Sequence, residues 1–518
     1  MRPDTDRFGR ALTLVAVLVC LGPPLAVALT GVHVPLPLAV LVPVALAIAA
    51  GMWLRTIPAV PVALARRHPA AATLWVVLLC AAAGQIARAS VFAYDVTRRE
   101  WSVAPANQFR SQHNCLTAYA EAARFAGEGG VNLYDSTRYR PGQQTFRRIG
   151  PLTVDSFHYP PQFLLLPAAV RTLAPDFFDT RRVWFGLQVL LLAGVMLRVA
   201  WWIGGETGRG VALASVAVWA LPTTFVALQT GNFQITGIPL ALLGALLACS
   251  ARPGVGGGLL AYATVGKIFP AMLVLHVGAT RRWRLVAWIA ASAAALTGLT
   301  AVVFGLEPFI DFVRDEIPQL ASGASFPQTE DPSAFAVNQS IYGFTVKLRA
   351  LGLAWLDQAN GKHVAQVYAV LLAALAIVSG LRSRAEGPVA GERSCLDHAG
   401  MWLGLLNLAS FAGPFVGGAY GSAGTAWLVA LRAGGAGTPG RRWAWLAALL
   451  PTFLVPWITP SPGGGPPSGG MLVLSAAWQV WAVAVNAWAA WPPRAAADTP
   501  AVVVTAGAGP VMIPARPN

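Results

Sequence analysis

Charge is scarce in this chain: Asp, Glu, Lys and Arg together make up 11% of its 518 residues, against 56% apolar. A soluble domain carries about a quarter charged residues, so a soluble globular protein is excluded. Lysine is almost absent, with only Lys267, Lys347 and Lys362, so the net charge of +15 is carried by arginine. Cysteine is sparse as well. Cys20, Cys80, Cys115, Cys249 and Cys395 are scattered with no paired spacing, which gives no support to a disulfide framework or a zinc site. No short-period repeat is present, so a solenoid is excluded.

What is present is one apolar run after another, many of them about 20 residues long, the length that crosses the hydrocarbon core as a helix. The fold class read from this is an all-α polytopic integral membrane protein with about 12–14 transmembrane helices. The arginines stand at helix ends and in loops, not along one face, which is the positive-inside distribution of a membrane protein and speaks against a nucleic-acid partner. Arg2, Arg7 and Arg10, then Arg55, Arg66 and Arg67, then Arg281 and Arg282 mark the cytoplasmic side. Loops 93–158 and 306–362 then fall on the extracytoplasmic side. The organisation expected is a transmembrane hairpin over 1–70, a core over 71–435, further transmembrane helices over 436–491 and a disordered cytoplasmic tail over 492–518. Residues 341–356 read as an interfacial segment and not a full span.

The two outer loops hold most of the polar and aromatic side chains available for chemistry. The first contains Tyr94-Asp-Val-Thr-Arg-Arg-Glu-Trp101, Ser111-Gln-His-Asn-Cys-Leu-Thr-Ala-Tyr-Ala-Glu-Ala-Ala123 and Asp155-Ser-Phe-His-Tyr-Pro-Pro161. Cys115 to Phe125 has helical spacing, with Leu116, Tyr119, Ala120 and Ala123 on one face, and is expected to be a short amphipathic helix on the membrane surface, ended by Gly127, Gly129 and Gly130. Lys267 is an ionisable residue inside an apolar run, flanked by Gly266 and Pro270, which points to a distorted helix facing protein or water.

With these residues in view the chain resembles glycosyltransferase family 87, membrane transferases of the GT-C type that use polyprenyl-phosphate sugars, typically mannose. The resemblance rests on Tyr119-Ala-Glu-Ala-Ala123, Gly130, Leu133-Tyr-Asp135 and Phe157-His-Tyr-Pro-Pro161 in the first loop. Thr230-Gly-Asn-Phe-Gln234, Gly266-Lys-Ile-Phe-Pro270, Arg281-Arg-Trp283 and Asn338-Gln-Ser340 follow in order. It implies a hexosyltransferase of the bacterial cell membrane, active on the extracytoplasmic face. The partners implied are a polyprenyl-phosphate donor in the lipid and a glycolipid, polysaccharide or protein acceptor.

One departure from the family pattern bears on mechanism. The family carries an acidic residue shortly before the Tyr119 helix, where it is taken as the catalytic base, and here that stretch reads Gln112-His-Asn-Cys115. The base is then Asp95, just beyond the span expected near 71–92, or His113, or else this branch does different chemistry. Asp95 beside Arg98 and Arg99 reads equally well as an ion-paired helix-end carboxylate. Cations that would hold the donor phosphate are Arg98, Arg99, Arg147, Arg148 and Lys267, and the substrate cavity is expected to draw on Tyr119, Asp155, His158, Tyr159, Asn232, Gln234, Asn338 and Gln339. No metal and no cofactor is called for, because a lipid phosphate is already an activated leaving group. The alternative function is a transporter or flippase of a lipid-linked sugar, which the absence of matching halves disfavours.

Overall fold

The structure, a computed structural model, describes residues 3–52, 69–105, 107–140, 147–250, 252–386, 389, 391–455, 458 and 465–491. Arg2, Arg55, Arg66, Arg67 and the tail 492–518 lie outside the described residues, as do the side chains of Arg7 and Arg10. The chain is helical almost throughout; among the described residues the only sheet is a two-stranded hairpin, Arg148–Ile149 against Leu152–Thr153. This is the all-α polytopic membrane architecture that the composition requires.

Five described helices are long and apolar enough to cross a membrane: Pro69–Tyr94, Phe177–Ile203, Trp283–Phe304, Gln358–Ala385 and Gly469–Ala490. A sixth span results if Gly205–Ala220 and Pro222–Gln229, which meet at 69°, are taken together. The expected count of about 12–14 assumed unbroken helices, and the chain breaks several of them. Pro222 opens a new helix after the extended Leu221. The apolar run around Lys267, where a distorted helix was expected, divides into Pro253–Gly266 and Ala271–Ala279, with Lys267 in extended conformation at the break. Pro270 explains the second half, since its ring fits the start of a helix but not the interior.

Gln234–Cys249 packs on Pro253–Gly266, which in turn packs on Trp283–Phe304, while Phe177–Ile203 lies against Pro3–Gly31. The buried core between these helices is built of Leu, Ile, Val, Ala and aromatic side chains. Ile341–Ala350 is a short helix that ends before Gln358–Glu386 begins, and Ile341, Tyr342, Gly343, Thr345, Val346 and Lys347 are buried in protein.

The two long loops meet on one side of the bundle. Gly130 N–H donates to Glu307, Asn132 Nδ2 donates to Asp315 at 2.6 Å, and His158 Nδ1 lies 2.9 Å from Glu316. The Tyr119 helix forms as Leu116–Glu128, but ten of its thirteen residues are buried in protein. Its expected place on the membrane surface is therefore corrected: Tyr119 packs against Phe163 and Trp184, and Glu121 is paired with Arg124 and Arg147.

Candidate active site

Backbone pairing brings three parts of the chain to one point. Thr117 Oγ1 donates to the Asn114 carbonyl at 2.7 Å, lies 3.2 Å from the Thr153 carbonyl and accepts from Asp155 N–H, so residues 153–155 run beside residues 112–117. Cys115 N–H donates to the Thr230 carbonyl at 2.8 Å, and Asn114 Nδ2 donates to the Gln229 carbonyl. The turn that follows needs Gly231, whose φ is +67° and whose missing Cβ would meet Leu116 Cβ at 3.3 Å.

This juxtaposition places His113 Nδ1 3.3 Å from the Asp155 carboxylate. On the other side of the ring, Nε2 lies 3.5 Å from Cys115 Sγ and 3.5 Å from the Tyr420 hydroxyl. A contact of 3.5 Å to an oxygen is too long to occupy the nitrogen. The imidazole stacks on Phe109 with ring centroids 4.7 Å apart, and its side chain keeps 16% exposure. Burial pulls the His113 pKa down, but the Asp155 charge, the Cys115 sulfur and the hydrogen bonds to both outweigh it, so the pKa rises well above the usual 6.5.

Asn232 links this group to a cation. Its Nδ2 donates to Cys115 Sγ at 3.3 Å, and its Oδ1 accepts from Lys267 Nζ at 3.4 Å. Lys267 also reaches Gln234 Oε1 at 3.4 Å and stands 5.6 Å from the centre of the Tyr159 ring. Among the described residues no carboxylate pairs with Lys267, and Nε2 of the Gln234 amide that Lys267 contacts is buried with no partner. The neighbouring wall is aromatic: the Tyr119 and Tyr159 hydroxyls meet at 2.8 Å, and Tyr159 stacks on Phe163 at 4.7 Å.

His158 belongs to a separate pair. Its partner Glu316 is 1% exposed and also accepts from Ser325 Oγ at 2.9 Å. His158 precedes Tyr159, so the second loop is tied directly to the wall under Lys267.

Residues 157–396 match the model of glycosyltransferase family 87, the family that the loop motifs resemble. The protein is a membrane glycosyltransferase. No curated protein and no solved structure matches the chain. In the transferase the matched stretch includes His158, Tyr159, Asn232, Gln234, Lys267 and Glu316, while His113, Cys115 and Asp155 precede it and Tyr420 follows it.

The other expected site residues lie elsewhere. Asp95 accepts from both the N–H and the hydroxyl of Thr97 and sits 3.4 Å from Arg98, with its side chain 35% exposed. Those Thr97 bonds, helped by Arg98, hold its pKa below the usual carboxylate value. Arg147 is bound to Glu121 at 2.9 Å, Arg148 lies in the hairpin, and Arg99 begins a short turn after Arg98. Of the five cations expected at the phosphate, Lys267 is the one bonded into the His113 cluster. Asn338 and Gln339 are buried braces: Asn338 Oδ1 accepts from Ser340 and Val416 N–H, and Gln339 Nε2 donates to Ser475 Oγ.

Sequence reasoning passed over Cys115, Tyr420 and Glu316 as site residues. Glu316 carried a usable signal, since it falls in the second polar stretch; Tyr420, at the start of the apolar helix Gly418–Gly434, carried none. His113, Cys115 and Asp155 present ligand-type atoms within 4.8 Å of one another, a proximity that their mutual hydrogen bonds already require.

Proposed function

We propose that this transferase moves a hexose, mannose being the one the resemblance implies, from a polyprenyl-phosphate donor to an acceptor hydroxyl on the extracytoplasmic face. The observation that carries the reading is a carboxylate-oriented imidazole next to a lysine with no carboxylate partner among the described residues: Asp155 on His113 Nδ1, with Lys267 one amide away through Cys115 and Asn232. Deprotonated His113 accepts the proton of the acceptor hydroxyl through Nε2, and Asp155 stabilises the resulting imidazolium. The acceptor oxygen attacks the anomeric carbon as the bond to the phosphate oxygen breaks, and one such displacement inverts the centre. Polyprenyl phosphate leaves toward Lys267, with the unpartnered Gln234 Nε2 as a second donor. His113 then supplies the base that the missing family carboxylate would have been, in preference to Asp95, whose charge is already held by Thr97 and Arg98.

Membranes containing the transferase, incubated with labelled polyprenyl-phosphate mannose, glucose and arabinose in turn, test this. Label from mannose is expected to move into an acceptor with release of polyprenyl phosphate. Label that moves from another of the three sugars contradicts the mannose assignment, and label that stays lipid-linked contradicts the transfer.

A further inference from the structure

Cys115 has a setting that the transfer reaction does not use. Its sulfur faces His113 Nε2 at 3.5 Å, an ordinary length for a contact to so large an atom, and receives a hydrogen bond from Asn232 Nδ2 at 3.3 Å. The order carboxylate, imidazole, thiol is the one in which an oriented ring takes the proton of a nucleophile. The sulfur that remains keeps its hydrogen bond from Asn232 Nδ2. Cys249 accepts from Arg282, but no imidazole contacts it among the described residues.

Cys115 is 8% exposed, and His113 and Asp155, at 16% and 24%, and Tyr420, whose hydroxyl lies 3.6 Å from the sulfur, reach solvent beside it. At that exposure only a small reagent suits the sulfur, and whatever it leaves there lies against His113 Nε2 and Asn232.

We propose that Cys115 is a modification site, a nucleophilic thiol served by His113 that exchanges with small disulfide-class electrophiles and so closes the site reversibly. In the exchange His113 takes the thiol proton and Sγ attacks one sulfur of the reagent. The reagent's own S–S bond breaks, and the departing thiolate collects the proton from His113. The products are a mixed disulfide on Cys115 and one free thiol, and a second thiol reverses the step. Formation of the adduct depends only on the geometry of this cluster; that it stops transfer rests on the function proposed above.

The test uses the full chain with Cys20, Cys80, Cys249 and Cys395 changed to Ser, and methyl methanethiosulfonate as probe. Its thiolated sulfur is attacked in the same way, with methanesulfinate leaving. Mass spectrometry should show one thiomethyl group on Cys115, and none after Cys115→Ser. Adduct formation at neutral pH should slow about tenfold or more with His113→Gln, because the ring that holds the thiol proton beside the sulfur is lost. If His113→Gln does not fold, Asp155→Asn provides the comparison, again with slower labelling. Labelled-sugar transfer measured on the same sample should fall with the adduct and return with dithiothreitol. Absence of an adduct, or labelling as fast without His113, overturns the thiol assignment and leaves the proposed function standing. An adduct that leaves transfer running overturns the closure, and with it the placing of the reacting centre at His113.

Discussion

At the scale of single residues the account turns on which side chain takes the acceptor proton. His113→Gln keeps a hydrogen-bonding side chain but removes the basic nitrogen, and loss of a general base costs about 100- to 10,000-fold in rate. Asp95→Asn is expected to leave turnover within about threefold of the parent, since its carboxylate is used in a Thr97 turn at a helix end. Steady-state transfer by the two variants checks both. The pH profile carries a second prediction. The neutral ring is the base, and the Asp155 charge lifts the His113 pKa above the usual 6.5, so kcat/KM should rise with pH through a point on the alkaline side of that value. Asp155→Asn removes the charge that raises the pKa and leaves burial acting against it, so the rising limb should move to lower pH even as the maximal rate falls. A limb that stays in place would detach Asp155 from the base. His113 was legible in the sequence because it stood where a family acid was missing, and Asp155, His158, Tyr159, Asn232, Gln234 and Lys267 because polar residues are rare in so apolar a chain. Cys115 was not, since a lone cysteine carries no signal until the fold sets a histidine against it.

At the scale of elements, the site depends on a broken helix. Lys267 is extended between Pro253–Gly266 and Ala271–Ala279, and a Cβ on Gly266 would come within 2.9 Å of the Phe233 ring. Gly266→Ala must therefore shift Phe233 or the Lys267 turn. Overpacking of this kind costs about 1–3 kcal/mol, and a displacement near 1 Å at a reacting group costs about 100-fold in rate. Thermal unfolding and transfer assays should show a modest loss of stability beside a large loss of turnover. Gly266 and Pro270 marked this break in the sequence. The bend at Pro222 was missed because the apolar run continues through it, and hydropathy reports burial in lipid without reporting helix continuity. The buried setting of Leu116–Glu128 was missed for a related reason: one apolar face fits a membrane surface or a protein core equally well, and the partners that decide it come from distant parts of the chain.

At the scale of the whole molecule, the loops at 93–158 and 306–362 lie together, and the proposed function puts their side of the bundle outside. In a cysteine-free background, Ser136→Cys and Ala324→Cys should react with an impermeant reagent added to intact cells, while Arg284→Cys should not. The reverse pattern would put the cluster in the cytoplasm and remove the extracytoplasmic donor with it. The sequence made the membrane class readable because it follows from where charge is tolerated, and the sidedness it led us to expect is what this labelling tests. It did not disclose how the loops dock, since that depends on pairs such as His158 with Glu316, which are 158 residues apart. The most direct measurement is the fate of a polyprenyl-phosphate sugar in vesicles reconstituted with the full chain and an acceptor extract. Free polyprenyl phosphate should appear in step with sugar on the acceptor, and both should fall at least about 100-fold with His113→Gln. Passage of the intact lipid-linked sugar across the bilayer without release, or unchanged release from the His113→Gln protein, would contradict the mechanism.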